Sequence, residues 1–359
     1  MIKIQASVSK GWLHKHGGFD FNQKYYLDPH YRLEYDRRCH EFIKQKFPEY
    51  PLYNMEDNLV QAEYVVPDMI QVGAIQPNMI ISVALGAEFQ FTSDKDSDVR
   101  GFPLKDIKDY SELPPVEKVL GLPFIKDLEN QYVNARSNYP DCRIIPPFFW
   151  DTSGRATIHG IITTSMKFIG QDIYTMMMMD PELVKGIHQW ITDVYIAVVK
   201  HFSKLGDLPI TSIHVGECSG TMLDEYSYRE FVTPYIGQLG KEFGAVRLHS
   251  CGNADHVLAP ICEIENLNII DTGSNTSLAA IRERMGKDFE INVFPPVDVL
   301  VTGSSPKDIQ GWLSQTLKDN DGGNLKIEYH LEPDYNWDNC NYLHRELDRL
   351  GIAKNKRLY

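Results

Sequence analysis

His249 and Cys251 are the residues with the clearest chemical potential, because they stand two positions apart and directly precede Gly252. On an extended strand, residues i and i+2 point to the same side, so this imidazole and this thiolate can reach one point. A nitrogen ligand and a sulfur ligand together suit zinc, a borderline-soft ion. The alternative is a core histidine beside a buried structural thiol, and the spacing alone favours that alternative. The position at a strand end, before a glycine that releases the chain, strengthens the zinc interpretation, and both stay open.

Other apolar runs in the sequence also end in groups that bind metals or move protons, namely Glu217, Cys218, Asp271 and His330. The carboxyl ends of parallel strands converge on one face of an α/β barrel, where active sites are built. We therefore expect Glu217 and His330 to join His249 and Cys251 as zinc ligands. We expect Glu217 and Asp271 to be catalytic.

Each of these additional residues also has a structural explanation. Glu217 suits a salt bridge at a strand end, and His330 suits a hydrogen bond to Glu332. If its strand continues, Cys218 points to the side opposite Glu217 and is packed rather than a ligand. Cys340 lies in a predicted helix and is expected to be structural.

Asp151 follows an aromatic stretch over residues 147–150 and is a third candidate for catalysis, through contact with a substrate. It also suits the cap of a helix that the sequence predicts to begin near Ala156. Both interpretations stay open on the sequence.

The elements that must position these residues alternate regularly from about residue 140. Strands are predicted over residues 142–149, 210–217, 245–252, 267–271, 289–296 and 325–332, and amphipathic helices over 181–205, 227–243, 277–285 and 306–318. Repeated strand–helix units imply parallel strands joined by crossover helices. We therefore predict a (β/α)8 TIM barrel over residues 76–359, with residues 79–85 as a seventh strand and the eighth strand not assigned.

The first 75 residues mix aromatic and charged side chains, which predicts a mainly helical N-terminal extension that packs on the barrel. A doubly wound sheet is the rival architecture. No glycine-rich dinucleotide-binding turn follows any predicted strand, so the barrel is favoured.

Composition excludes several classes of function. The 359 residues are 43% hydrophobic and 24% charged, as in a folded globular protein, and carry a net charge of −13. This charge argues against binding to nucleic acid or to an anionic membrane.

No apolar run approaches the roughly 18 residues of a membrane span, and the first 20 residues lack the apolar core of a signal peptide. The six cysteines are scattered, which favours the reducing cytoplasm over a disulfide framework.

Several motifs, in collinear order over about half of the chain, carry a resemblance to a known family. They are Asp-Pro-Glu-Leu-Val at 180–184, Ser-Gly-Thr-Met-Leu at 219–223, Tyr-Arg-Glu-Phe-Val-Thr-Pro-Tyr at 228–235, Leu-His-Ser-Cys-Gly-Asn at 248–253, Pro-Pro-Val-Asp-Val-Leu at 295–300 and Thr-Gly-Ser-Ser-Pro at 302–306. With these motifs the chain resembles the uroporphyrinogen decarboxylase superfamily. Within it, the chain is most similar to the zinc-dependent, corrinoid-linked methyltransferases of the methylcobalamin:coenzyme M type.

Two departures from the family pattern matter. The Met-Arg-Gln-Ala-Gly-Arg signature of the decarboxylases is absent from the N-terminal part of the sequence. The methyltransferases usually have a late cysteine as a zinc ligand, and residues 322–334 contain none, although His330 stands near the expected position.

The resemblance implies a function and a set of partners. Zinc would activate a nucleophile, commonly a small thiol, and the methyl group would come from methylcobalamin on a small corrinoid carrier protein. In relatives that act earlier in the pathway, a small methyl donor methylates the corrinoid instead. The resemblance also places Asn253 and Tyr235 in contact with the cofactor. The alternatives are a decarboxylase of a carboxylated tetrapyrrole and a non-catalytic corrinoid-binding barrel.

Overall fold

A parallel β-sheet of eight strands forms the centre of the protein. The computed structural model describes residues 2–49, 53–54, 69–273 and 275–351. Within them the strands of the sheet are β1 (Ile2–Val8), β2 (Tyr53–Asn54), β7 (Arg155–His159), β8 (Ser212–Gly216), β9 (Val246–Ser250), β10 (Leu267–Thr272), β11 (Glu290–Val293) and β12 (Leu325–Leu331). Their order in the sheet is β2-β1-β12-β11-β10-β9-β8-β7.

Helices follow most of these strands and cover the outer face of the sheet. The longest, α9 (Pro181–Gly206), begins with Asp180, whose side chain accepts a hydrogen bond from the Leu183 N–H, and with proline in the first turn. The others are α1 (Lys10–Gly17), α2 (Gln23–Leu27), α3 (Pro29–Lys46), α4 (Pro77–Ala84), α5 (Val116–Leu120), α6 (Pro123–Asn138), α7 (Ile161–Phe168), α8 (Asp172–Met179), α10 (Glu225–Phe231), α11 (Thr233–Phe243), α12 (Leu258–Cys262), α13 (Leu278–Met285), α14 (Val297–Leu300), α15 (Pro306–Asn320) and α16 (Trp337–Arg349).

Side chains alternate across the sheet between an apolar outer face and a polar inner face. In β9, Val246 and Leu248 are buried in the apolar core, whereas Arg247 and His249 line a cavity on the other face. β12 follows the same rule, with Ile327 in the core and Glu328 on the cavity wall. Because the sheet curls, its inner face becomes a concave wall with polar side chains from neighbouring strands.

Among the described residues the curled sheet stays open between β2 and β7. Beside it, β3 (Met69–Gln71) pairs in parallel with β6 (Arg143–Ile145), and β4 (Glu88–Gln90) pairs antiparallel with β5 (Asp98–Arg100). The chain after β6 reaches the sheet where the Thr157 N–H donates to the Phe148 carbonyl (2.7 Å). The predicted α/β fold with parallel strands is confirmed, in the form of a TIM-barrel-like half-barrel rather than a closed eightfold barrel.

Three of the predicted elements were wrong. Residues 79–84 belong to α4, which Pro77 begins, and Leu85 is its C-cap. The prediction failed because a short apolar run does not by itself distinguish a strand from a buried helix. Residues 142–149 contribute only the short β6, outside the main sheet. The helix expected near Ala156 is strand β7, whose residues Arg155 to Ile158 are all buried.

The N-terminal part of the chain is more closely integrated than the sequence indicated. It contains the predicted helices, but its first strand, β1, pairs along its whole length with β12 from Ile2–Leu325 to Val8–Leu331. Residues 2–8 are thus part of the sheet rather than a cover for it. The division into two units at residue 75 stays a prediction. In the described ranges, no helix is long and apolar enough to cross a membrane.

Candidate metal centre at the strand ends

Cys218, His249 and Cys251 come together at the carboxyl ends of β8 and β9. One potential ligand atom of each lies within 4.8 Å of those of the other two. The parallel register pairs Gly216 with His249, and the Glu217 N–H donates to the His249 carbonyl (2.8 Å). This pairing places the residue after Glu217 beside His249. The structure therefore brings His249 and Cys251 together with Cys218 as a third partner, and their role as metal ligands stays a prediction.

The local backbone explains why Cys218 joins this group. Strand β8 ends at Gly216, and Glu217 leaves the extended conformation with φ −104° and ψ 53°. A 3-10 turn over Cys218–Met222 follows at once. His214, Gly216 and Cys218 all line the cavity, so Cys218 lies on the cavity side of this alternation, whereas Glu217 falls on the opposite side.

Asp271, in the neighbouring strand β10, fixes the orientation of His249. Its Oδ2 atom lies 3.2 Å from His249 Nδ1. With Nδ1–H directed at the carboxylate, Nε2 is the nitrogen left for a metal, an arrangement common to histidine ligands. Asp271 is itself held by the buried Arg247, through Nη2 (2.5 Å) and Nε (3.1 Å).

The interactions within the cluster separate the pKa values of the two thiols. Its hydrogen bond to Cys218, followed by that to His249, lowers the pKa of Cys251 to about 4. The same hydrogen bond and burial raise the pKa of Cys218 to about 12. Burial opposes the charged form of His249, but Asp271 outweighs it and raises the His249 pKa well above its usual value. Without a metal, the cluster is therefore an imidazolium beside a single thiolate.

Glu217 stands next to the cluster in sequence but directs its carboxylate elsewhere. Its oxygens accept hydrogen bonds from the Ile162 N–H (3.1 Å), the Thr163 N–H (2.9 Å) and the Thr163 hydroxyl (2.8 Å), at the start of α7. Burial raises the pKa of Glu217 to about 7. The structure thus gives this carboxylate the role of a helix cap and leaves it outside the group of converging ligand atoms, so its metal and catalytic roles stay predictions.

His330 faces the same cavity but lies across Phe294 from His249. The Phe294 ring centroid is 6.0 Å from that of His249 and 5.5 Å from that of His330. His330 Nδ1 lies 2.5 Å from the hydroxyl of Ser7, in β1. His330 is thus also outside the group within 4.8 Å, and its role as a fourth ligand stays a prediction.

The remaining predicted site residues make local contacts. Asp151 accepts from the Ser153 N–H (2.8 Å) and hydroxyl (2.5 Å), which closes the turn before β7. Asn253 is exposed and accepts from the Asp255 N–H (2.9 Å). Tyr235, in α11, donates to the Lys185 carbonyl of α9 (3.3 Å). None of the three is among the described residues that line the cavity, and their functional roles stay predictions.

The cluster of Cys218, His249 and Cys251 opens into a cavity of ≈ 250 Å³ on the concave face of the sheet. Four imidazoles lie on its wall, those of His159, His214, His249 and His330. The His214 and His249 rings stack with centroids 6.1 Å apart. Sequence reasoning missed His159 and His214, although both occupy the inward-facing positions of their strands. The signal that identifies them is the alternation of side chains along each strand, which places these histidines on the same polar face of the sheet as His249.

Comparison with known proteins identifies relatives of the fold. Residues 156–325 match the family described as "Uroporphyrinogen decarboxylase (URO-D)". A methyltransferase from Methanosarcina mazei is similar in structure at 13% sequence identity, with a TM-score of 0.62 over 97% of this chain and 94% of that one. This likeness shows a shared fold.

A B12-independent methionine synthase from Shewanella sp. W3-18-1, in complex with selenomethionine, has a TM-score of 0.47 and 10% identity over 98% of both chains. No curated protein matches the sequence significantly.

Proposed function

Because this chain carries a domain of the uroporphyrinogen decarboxylase superfamily over residues 156–325, we propose that it is a zinc-dependent methyltransferase. The methyl group moves between a corrinoid and a small thiol or another small methyl donor or acceptor. The observation that carries the proposal is the convergence of Cys218, His249 and Cys251 at the mouth of a cavity.

The donor set fits a catalytic zinc ion. One imidazole nitrogen and two thiolate sulfurs are ligands that zinc prefers, and three protein ligands leave a fourth position for a substrate. Two thiolates balance the charge of Zn²⁺ when His249 is neutral. Asp271 supplies the carboxylate that usually supports a zinc-bound histidine. We therefore propose Cys218 as the third ligand in place of Glu217 or His330.

The chemistry divides between the metal and the protein. Bound zinc would supply the Lewis acidity that keeps a substrate thiol deprotonated near neutral pH. Asp271 orients His249, and Arg247 holds Asp271. The cavity orients the small substrate and limits its contact with water. The exposed Cys251 marks the side from which the second reactant approaches.

The size of the cavity determines where the corrinoid would lie. A space of ≈ 250 Å³ accommodates a small thiol or methyl donor, but a corrinoid is far larger. The corrinoid would therefore present its methyl group at the mouth, which suits a cofactor borne on a separate carrier protein. The decarboxylase alternative requires cationic side chains that hold several carboxylates, and Arg247 is already engaged by Asp271 and Glu328.

Metal content and methyl transfer test the proposal together. The zinc-loaded protein should transfer the methyl group of methylcobalamin to at least one thiol, seen as loss of the methyl–cobalt absorption. Cys218→Ser should remove both zinc and transfer. Cys262→Ser is the matched control, because Cys262 is a half-buried thiol at the end of α12, and it should retain both. Full zinc in Cys218→Ser would reject the ligand set, and release of carbon dioxide from a carboxylated tetrapyrrole without methyl transfer would favour the decarboxylase.

A further inference from the structure

The charged side chains on the cavity wall are already paired with one another or with a neighbour. Asp96 lies 2.6 Å from Lys10 Nζ. Arg247 Nη2 lies 2.5 Å from Asp271 and 3.0 Å from Glu328. Among the described residues, each charged group that lines this cavity therefore has an opposite charge within 3.0 Å.

The pairs also balance in number. Glu328 is shared between Arg247 and Lys326, whose Nζ lies 2.9 Å from it. Three carboxylates, those of Asp96, Asp271 and Glu328, thus face three cations, those of Lys10, Arg247 and Lys326. The wall contributes no net charge from these groups.

His159 and His330, on the cavity wall, do not change this balance near neutral pH. Burial lowers the pKa of His159 to about 4. Burial also lowers the pKa of His330. A neutral imidazole donates one hydrogen bond and accepts another, so these side chains suit a hydroxyl or carbonyl group. Ile75, Ile158 and Phe294 add apolar surface to the same wall.

A charged ligand would lose hydration here without gaining a counter-charge. Moving an ion out of water is unfavourable unless a partner compensates it. Arg247 cannot turn to an anionic ligand without leaving Asp271 and Glu328, and it is only 5% exposed. The same argument applies to an ammonium group, since Asp96 is already neutralised by Lys10.

We propose that this cavity selects an uncharged small molecule, such as a hydroxyl-bearing thiol, and discriminates against carboxylated, sulfonated and ammonium-bearing analogues. The hydroxyl end lies among the imidazoles, and the sulfur points to Cys218, His249 and Cys251. This inference rests on the proposed function, because it assigns the charge class of that enzyme's small substrate.

Three thiols with the same two-carbon spacer test the selection. They are 2-mercaptoethanol (neutral), 3-mercaptopropionate (anionic) and 2-mercaptoethylamine (cationic), each titrated at pH 7 into protein loaded with cobalt(II) in place of zinc. Changes in the cobalt absorption report binding without turnover. We expect the neutral thiol to bind about 10-fold more tightly than either charged one, a difference of about 1.4 kcal/mol.

Equal or tighter binding of a charged thiol would overturn the inference and leave the proposed function intact. Failure of all three thiols to perturb the spectrum would overturn the inference and also contradict a thiol as the small substrate in the proposed function.

Two charge variants separate selection by the cavity from the different acidities of the three thiols, because those acidities do not depend on which protein variant is used. Asp96→Asn removes one negative charge from the wall and should shift the preference towards 3-mercaptopropionate. Lys10→Met removes one positive charge and should shift it towards 2-mercaptoethylamine. Asp94→Asn is the control, because Asp94 is exposed in the same loop and does not line this cavity. Equal weakening of all three thiols in both variants would indicate a merely structural role for the pair and overturn the inference.

Discussion

Asp271 Oδ2 lies 3.2 Å from His249 Nδ1, so a carboxylate at the end of one strand fixes the ring of a histidine in the next. The pairing follows from the register, in which Asp271 and His249 stand opposite each other. Arg247, two residues before His249, completes the arrangement by binding the same carboxylate oxygen. Three side chains on two adjacent strands thus determine which nitrogen of His249 faces the thiols.

We predict that Asp271→Asn weakens zinc binding by roughly 10- to 100-fold, because the amide no longer supports the ring as a charged acceptor. The measurement is the zinc dissociation constant by competition with a chromogenic chelator. Asp255→Asn is a suitable control, since Asp255 lies in the turn after the cluster and its Oδ1 atom accepts from the Ser277 N–H (2.7 Å), a bond that an amide oxygen can also accept. Unchanged affinity in Asp271→Asn, with full loss in Cys218→Ser, would show that His249 does not depend on this carboxylate.

A second prediction concerns Gly160, which adjoins the Glu217 carboxylate so closely that a β-carbon there would collide with it. Gly160→Ala should disturb the cap of α7 and lower the free energy of unfolding by about 1–3 kcal/mol. Gly311→Ala, in α15, should instead raise it by about 0.5–1 kcal/mol, because nothing lies within 4 Å of the new β-carbon. Urea unfolding of both variants measures the difference. Equal effects of the two substitutions would contradict the close approach to Glu217.

The sequence predicts much of the sheet because β8 to β12 are short runs rich in branched apolar residues and bounded by turns. It fails at β7, where Arg155 and His159 flank only three residues and suggest a loop or helix start rather than a strand. It also fails at β1, whose pairing with β12 joins residues more than 300 positions apart. No local pattern reveals so distant a partner.

The cluster of Cys218, His249 and Cys251 shows the same limit at the level of one residue. His249 and Cys251 follow from the spacing, because both lie at the end of a single strand. The contribution of Cys218 is missed because the prediction places Glu217 on the cavity side of β8, whereas the residues of this segment that line the cavity are His214, Gly216 and Cys218. Glu217 is the converse case, since its position at a strand end suggests a ligand while the start of α7 takes its carboxylate.

A third prediction uses His188, a fully buried residue of α9 whose Nδ1 lies 2.8 Å from the Phe231 carbonyl. Burial lowers the pKa of His188 to about 4, below the value of about 6.5 expected in the unfolded chain. Between these values the unfolded state binds more protons, so stability falls as the pH falls from about 6.5 to about 4. The loss of unfolding free energy attributable to His188 is about 3 kcal/mol, since a pKa difference of one is worth about 1.36 kcal/mol.

His188→Asn is the comparison, because its amide can still donate to the Phe231 carbonyl but does not titrate. The free energy of unfolding of this variant, measured from pH 7 to pH 4.5, should fall less steeply than that of the wild type. Parallel curves would show that His188 is not held neutral by its surroundings.

The last prediction distinguishes the two roles of Tyr235, cofactor contact by family resemblance and helix packing by structure. Its hydroxyl donates to the Lys185 carbonyl (3.3 Å), and its ring meets that of His188 edge-on with centroids 5.4 Å apart. Tyr235→Phe keeps the ring and removes one hydrogen bond, so unfolding should become easier by about 1 kcal/mol. Methyl transfer from methylcobalamin should be unchanged, whereas Cys251→Ser should abolish it in the same assay. A fall of 10-fold or more in transfer by Tyr235→Phe, with stability intact, would instead place the hydroxyl in contact with the cofactor and show that α9 and α11 rearrange when it binds.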